Sequence, residues 1–335
     1  MIVNPFESDA FNMYALTDAI NILPNNYGKL RAMNLFPGKG ARSENVIVEE
    51  KNGILNLLQT MPKGSPGQQN KMGKRGVRSF VVPHIPLEDV ILPSEFDGIR
   101  AFGQESTTET LASIMNGHLQ TIKDKFAITL EYLRMGALKG IILDADATTL
   151  YNLYTEFGIN QKTVDFDLGT SGTKVISKCL EVIRHIEDNL KGEVMTGVHC
   201  YCDSTFYDAL TTHAEVEAAF ANYQAAEQRL GGDMRSGFKF GGITFEEYRG
   251  TATDKDGTAR PFIAAGYAHF FPVGTMNTFE TILAPGDFLE TVNTTGKELY
   301  VKQEARKFNK GIDIWAESNP LPICKRPGVL VTGTL

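Results

Sequence analysis

Tryptophan occurs once and cysteine four times in 335 residues. Four thiols in a chain this long do not make a disulfide framework. No run of about 18 apolar residues is present, so no membrane span is expected. The first ten residues carry Glu7 and Asp9 and lack the basic-then-apolar order of a signal peptide, so secretion is not expected. There is no Gly-x-Ser-x-Gly, and His84, His118, His185, His199, His213 and His269 show no local partner pattern. A nucleophilic catalytic site therefore has no support in the sequence, and no cofactor is expected. Internal repeats and low-complexity tracts are missing too. What remains is the composition of a folded protein, 42% hydrophobic and 22% charged, with enough chain for one large or two ordinary domains.

Acidic residues are missing from one place in particular. Between positions 51 and 87 there is no Asp or Glu, while Lys51, Lys63, Lys71, Lys74, Arg75 and Arg78 contribute +6. The whole chain carries −7, which leaves −13 for the other 298 residues. A basic arm on an acidic body is the main electrostatic feature. The overall sign argues against a chain built to coat itself with nucleic acid.

The strongest pattern lies at 106–138. Leu111, Met115, Leu119, Ile122, Phe126, Leu130, Leu133 and Ala137 recur at steps of three and four, the period of one buried helix face. Ser106 and Glu109 have capping-box spacing ahead of it, and Gly136 and Gly140 mark its end. Gly117 costs such a helix about 1 kcal/mol, so packing must hold it. The spacing predicts a long spine.

Before the spine, residues 1–43 read as an extended arm with a short helix built on Phe11, Tyr14, Ala15, Ile20 and Leu23. Residues 44–93 read as a long hairpin. Val46–Glu50 and Ile54–Leu58 lead out, and Val77–Val82 with Val90–Leu92 return around a Gly- and Pro-rich tip. After the spine, 140–143 and 148–157 read as strands around Asp144-Ala145-Asp146. A second amphipathic helix spans 173–190, a strand 198–201, helical segments 204–230, and strands flank Gly241-Gly242. Further strand candidates are 264–271, 298–303 and 328–332. Helices and strands mix without regular alternation, which argues for an α+β fold.

Three other motifs invite a chemical reading. His199-Cys200-Tyr201-Cys202 has zinc-binding residue types, but in a strand the two thiols face one side and the imidazole the other. Asp144 with Asp146, and Asp254 with Asp256, read as turn-closing side chains instead of acid–base or metal pairs. Gly38-Lys39-Gly40 and Gly169-Thr170-Ser171-Gly172-Thr173-Lys174 complete no phosphate loop. The basic stretch has only Phe80 as a nearby aromatic, unlike a nucleic-acid groove. Its natural partner is the acidic body of another copy. Lys63, Lys71, Lys74, Arg75, Arg78 and Phe80 are the candidate inter-subunit contacts, with apolar strand residues supplying most of the contact energy.

Several strings then resemble one family. These are Phe238-Lys239-Phe240-Gly241-Gly242-Ile243-Thr244-Phe245-Glu246-Glu247-Tyr248-Arg249-Gly250, Gly266-Tyr267-Ala268-His269-Phe270-Phe271-Pro272-Val273-Gly274, and Ala284-Pro285-Gly286-Asp287. Glu290-Thr291-Val292-Asn293-Thr294, Tyr300-Val301-Lys302, Ser318-Asn319-Pro320-Leu321-Pro322 and Arg326-Pro327 follow in order. Together they resemble the phage major capsid protein E family, the lambda-like capsid proteins. The resemblance implies an HK-97-type capsid fold: N-terminal arm 1–43, extended loop 44–93, peripheral domain 94–164 and 311–335 with spine helix 106–138, and axial domain 165–310. It implies homo-pentamers and hexamers in an icosahedral shell around double-stranded DNA, with only non-specific DNA contact and no catalytic residues. The absence of a long helical segment ahead of the arm leads us to expect separate scaffolding protein, with portal and cement proteins as further partners. The expected location is the virion capsid, assembled in the host cytoplasm, with no membrane partner. The alternatives are an encapsulin-like nanocompartment shell protein, a small-molecule enzyme with a dispersed site, or a tail-tube subunit.

Overall fold

The computed structural model describes residues 13–22, 28–51, 75–95, 107–230, 237–254 and 256–335. In chain order the elements are α1 (Met13–Ile22), α2 (Lys29–Ala32), β1 (Gly38–Gly40), β2 (Asn45–Lys51), β3 (Arg75–Val81) and β4 (Ile85–Ile91). The long helix α3 (Thr107–Lys139) precedes β5 (Ile141–Leu143), β6 (Thr149–Asn152), α4 (Leu153–Phe157), β7 (Lys162–Asp165) and α5 (Val175–Leu190). Next come β8 (Gly197–Cys202), α6 (Ser204–Thr212), α7 (Ala214–Leu230), β9 (Phe238–Phe240), β10 (Ile243–Glu247), β11 (Thr251–Thr253) and β12 (Ala259–Pro261). The chain closes through β13 (Tyr267–Val273), β14 (Phe279–Leu283), β15 (Tyr300–Ala305), β16 (Ile312–Ser318), β17 (Pro320–Cys324) and β18 (Val331–Thr334).

Two units share this chain: Met1–Val46, Phe80–Glu131 and Thr281–Pro322 form one, and Ile47–Ser79, Tyr132–Glu280 and Ile323–Leu335 the other. In the first, β15, β16 and β4 make an antiparallel sheet with β16 in the centre. Ile312, Ile314 and Ala316 alternate along β16 and pack with Met115, Leu119, Ile122 and Phe126 of α3. Leu16 and Ile20 of α1 join the same cluster. The predicted spine is thus one helix of 33 residues, about 50 Å long at 1.5 Å per residue. From Ser113 to Thr129 exposed and buried residues alternate along it, and from Leu130 to Leu138 every residue is buried. Gly136 permits the close approach of the next strand, since a Cβ there would stand 3.0 Å from the Ile141 oxygen. Gly117 has no such role, because a Cβ would meet nothing within 4 Å.

His118 ties α3 to the end of β4. Its Nδ1 lies 2.7 Å from Asp89 Oδ2 and its Nε2 2.8 Å from Glu95 Oε2. Two carboxylates on the two ring nitrogens call for two N–H donors, hence an imidazolium. Burial of the ring opposes the charge, but the two acceptors outweigh it and raise the pKa above the ordinary 6.5. Glu95 is shifted down by the Leu92 backbone N–H and by His118.

The second unit holds a six-stranded mixed sheet ordered β7-β18-β13-β8-β10-β9. β10 runs parallel to β8 and β18 parallel to β7, while β13 is antiparallel to both β8 and β18. Phe270, Cys200 and Phe245 stand in register on one face. Phe270 stacks on Phe166 at 5.3 Å and meets Phe245 edge-on at 5.8 Å. His199, Tyr201 and Phe271 form a second aromatic group on the opposite face.

Three local expectations change. Residues 153–157 are helix instead of strand: Asn152 Oδ1 accepts from the Tyr154 and Thr155 N–H groups, and Gly158 at φ 64° ends the turn. β4 does not return along the hairpin but pairs with β16, while β3 pairs with β2. The reason is its inward residues, half-buried Ile85 and Leu87 and buried Ile91, which join the α3 core. The buried face of α1 is Met13, Leu16, Thr17 and Ile20, and Tyr14 is exposed. Phe11 and Leu23 lie outside the described residues. The strands β14, β16 and β17 carry no expectation from the sequence reading.

Gly117→Ala should stabilise the subunit by about 0.5–1 kcal/mol, read by urea unfolding of dissociated protein. The His118 bridge should be pH-dependent in a definite direction. Its contribution is full below the unfolded histidine value and is lost as pH rises through the raised folded value, while the Glu95 part is lost as pH falls through its lowered folded value. The melting-temperature gap between wild type and His118→Gln should therefore be wide near about pH 5.5 and narrow near about pH 8.5. A constant gap would refute the charged bridge.

Candidate assembly interface

The basic stretch begins and ends on paired strands, β2 and β3. Lys63, Lys71 and Lys74 lie outside the described residues, and of Arg75 only its place in β3 is described. Arg78 and Phe80 are held by their own chain. Arg78 Nε donates to the Glu156 oxygen at 2.8 Å, and its guanidinium covers the Phe157 ring at 4.4 Å. A cation donating to the last carbonyls of α4 is favourably placed with respect to the helix dipole. Phe80 is 1% exposed, and the next amide but one, Val82 N–H, donates to the Glu44 oxygen at 2.9 Å. Both residues therefore belong to the root from which the stretch leaves the body.

The N-terminal arm is fastened by two buried charges that the sequence reading did not single out. Lys123 of α3 is 3% exposed, and its Nζ donates to the Ile20 oxygen at 2.7 Å and the Asn21 oxygen at 3.1 Å. These carbonyls end α1. Burial lowers the Lys123 pKa. Two turns further along α3, Glu131 is also 3% exposed, and its Oε1 accepts the Leu30 N–H at the start of α2 from 2.7 Å. A cation therefore closes one helix end and an anion opens another, each matching the local dipole. Thr17 Oγ1 accepts the Val301 N–H at 3.1 Å, and Asn21 Nδ2 donates to the Leu299 oxygen at 3.1 Å. The only signal in the sequence was charge on an otherwise apolar helix face.

The chemical motifs resolve into structure. Cys179, Cys200, Cys202 and Cys324 are buried free thiols. Burial pushes Cys179 and Cys324 up to about 12 and Cys200 upward as well. His199, on the other face of β8, lies 3.1 Å from Glu246 and does not converge with the thiols. Among the described residues no group of three or more His, Cys, Asp or Glu is placed to hold a metal ion. Asp146 Oδ1 accepts from the Thr148 N–H at 2.8 Å and hydroxyl at 2.6 Å, closing the β5–β6 turn. Asp254 Oδ1 does the same for the Asp256 and Thr258 amides, at 3.0 and 2.8 Å. The start of α5 already holds an anion, since Glu215 Oε2 accepts the Val175 N–H at 2.6 Å. Among the described residues no helix is long and apolar enough to cross a membrane.

Lys123→Met should free the carbonyls that end α1 and lower subunit stability by about 1.5–3 kcal/mol, the range for a hydrogen bond to a charged group. Hydrogen exchange should then quicken in α1 before it does in the six-stranded sheet.

Comparison with known proteins gives one consistent answer. The family described as phage major capsid protein E matches residues 12–335. The major capsid protein of Salmonella phage Felix O1 (isolate Felix O1-VT1) is 30% identical, covering 97% of this chain and 96% of the relative. That of Pseudomonas phage KPP10 is 29% identical over 98% of each. A crystal structure of a protein from a prophage of E. coli CFT073, described as its candidate capsid protein, superposes with a TM-score of 0.61. It is 14% identical and covers 97% of this chain and 99% of its own. The α+β architecture is thus the HK-97-type capsid fold, and the matches favour a phage head over a cellular nanocompartment. The chain belongs to the phage major capsid protein E family, a family of structural subunits of the virion capsid.

Proposed function

We propose that this chain is the repeating tile of a tailed-phage head, closing into pentamers and hexamers of an icosahedral shell around double-stranded DNA. The family match along nearly the whole chain is the observation that carries this reading. In it the protein has no catalytic role. The arm 1–43, loop 44–93, peripheral domain 94–164 and 311–335, and axial domain 165–310 are read as the working divisions of the tile. Scaffolding, portal and cement proteins are its expected partners, and assembly proceeds in the host cytoplasm.

The basic stretch is read as the part that crosses to a neighbour. Its six cations without a single acid face a body at −13, so charge attraction orients the encounter while apolar burial holds it. Lys63, Lys71, Lys74 and Arg75 are the proposed contact cations, with Arg78 and Phe80 at the root. An acidic body also keeps packaged phosphate from binding tightly, since tight salt-sensitive binding would hinder both filling and release.

Replacing Lys71, Lys74 and Arg75 together by Glu should abolish shells in electron micrographs while leaving the circular dichroism spectrum and melting of the subunit unchanged. Normal shells from that variant would remove the electrostatic part of the reading.

A further inference from the structure

The turn between β15 and β16 carries an aromatic ring into solvent. Phe308 is 89% exposed at its tip, with Lys307 and Lys310 exposed on either side. Two backbone bonds shape the turn: the Arg306 N–H donates to the Gly311 oxygen and the Asn309 N–H to the Arg306 oxygen, each at 3.0 Å. Within it Phe308 stands at φ 65° and Asn309 at φ 52°. Asparagine tolerates this left-handed region, whereas a bulky aromatic residue is strained there. The lone subunit thus bears two costs at one residue, an exposed apolar ring and an unfavourable backbone. Arg306 is matched by Asp313 at 2.6 Å, but among the described residues neither Lys307 nor Lys310 has an ion-pair partner.

A cleft of matching character opens in the second unit. It lies where the end of α5 meets the loop into β8 and the β9–β10 turn, and it holds about 500 Å³. Ile183, Leu190, Met195 and Val198 supply its apolar lining. Gly242, at φ 87°, keeps one wall thin, since a Cβ there would stand 3.0 Å from Ile183 Cδ1. The charged residues of the lining, Glu187 and Glu193, are both acidic. Glu193 is engaged by Arg326 at 3.2 Å and by the Asn277 N–H at 2.7 Å. Glu187 is exposed, and among the described residues no cation pairs with it. The cleft therefore suits an apolar group with a positive charge beside it.

We propose that Phe308 of one copy plugs this α5–β8 cleft of a second copy, with the charges of Lys307 and Lys310 matched to Glu187. An aromatic side chain buries about 150–250 Å², and a lysine stem can lie along the rim with its head in water. Neither surface belongs to the basic stretch at 51–87. Plug and socket are different patches of the subunit, so the contact is head-to-tail, the kind that closes into rings. It rests on the reading of the chain as a shell tile and adds one named joint to it.

Phe308→Cys combined with Met195→Cys puts one thiol on the plug and one in the cleft. The four native thiols are buried, so mild oxidation of particles assembled at high protein concentration should link only the introduced pair. Non-reducing electrophoresis of the double variant should show a ladder of dimers and higher multimers, absent from either single variant. A ladder from Phe308→Cys alone would mean that tips meet one another, and this would overturn the proposal. So would double-variant shells that give no ladder, or only an intrachain bond. Phe308→Gly is a second measure that needs no thiol. Because φ 65° suits glycine, the melting temperature of the subunit should hold or rise, while the concentration needed for assembly should rise about tenfold or more. Assembly of that variant at the wild-type concentration would sink the plug. If the wild-type chain forms no shells, the tile reading falls and this joint with it; if it forms shells and both tests fail, only the joint is wrong.

Discussion

One apolar stripe of α3 pressed against the inner face of β15-β16-β4 is the constraint on which the first unit depends. Met115, Leu119, Ile122 and Phe126 meet Ile312, Ile314 and Ala316 there. Each fully buried side chain of this size contributes about 1.5–3 kcal/mol, against a net domain stability of about 5–15 kcal/mol. Gly117 in the helix is tolerated because that packing far exceeds its propensity cost. Once the inner face is buried, the strand period leaves no freedom about the outer one: Asp313 and Trp315 must face outward. The core thus decides what the surface can present.

Polar groups do different work in the same unit. Lys123 and Glu131 project from α3 into buried surroundings, and His118 into half-buried ones. Each meets a backbone end or a carboxylate: the carbonyls ending α1, the amide opening α2, and the Asp89–Glu95 pair. Apolar burial is non-directional, whereas these bonds are satisfied at one position only. Those of Lys123 and Glu131 set where the arm lies along the helix, and those of His118 fix the end of β4 against it. The root of the basic stretch is held similarly, by Arg78 on the end of α4.

Long periodic elements were legible before any fold was known. The 3.6 period over 106–138 anticipated α3 within one residue at either end, and that over 173–190 anticipated α5 within two. The turn at Asp144–Asp146 and the break at Gly241-Gly242 followed from side chains that bond their own backbone and from glycines at positive φ. Less was visible where local preference and tertiary demand diverge. Residues 153–157 have strand-like composition, but Asn152 opens a helix there. β14 and β17 went unrecognised because a short buried strand has no periodicity to distinguish it, and β16 was missed although Ile312, Ile314 and Ala316 alternate along it. The latch residues Lys123 and Glu131 were hidden for a related reason: a charge on a helix reads as solvated until its surroundings are seen.

By itself the chain order determined the class of fold, the length of the spine, the confinement of positive charge to one stretch and the family resemblance. These are properties of neighbouring residues, and they survive without knowledge of any distant contact. Only the tertiary structure decided that β4 leaves the hairpin to join β16, that Arg78 and Phe80 stay with their own body, and that the single tryptophan faces outward. Such facts depend on pairing between distant segments, 78 residues apart for Arg78 and Glu156 and more than two hundred for β4 and β16, and no local preference encodes which distant strand completes a sheet.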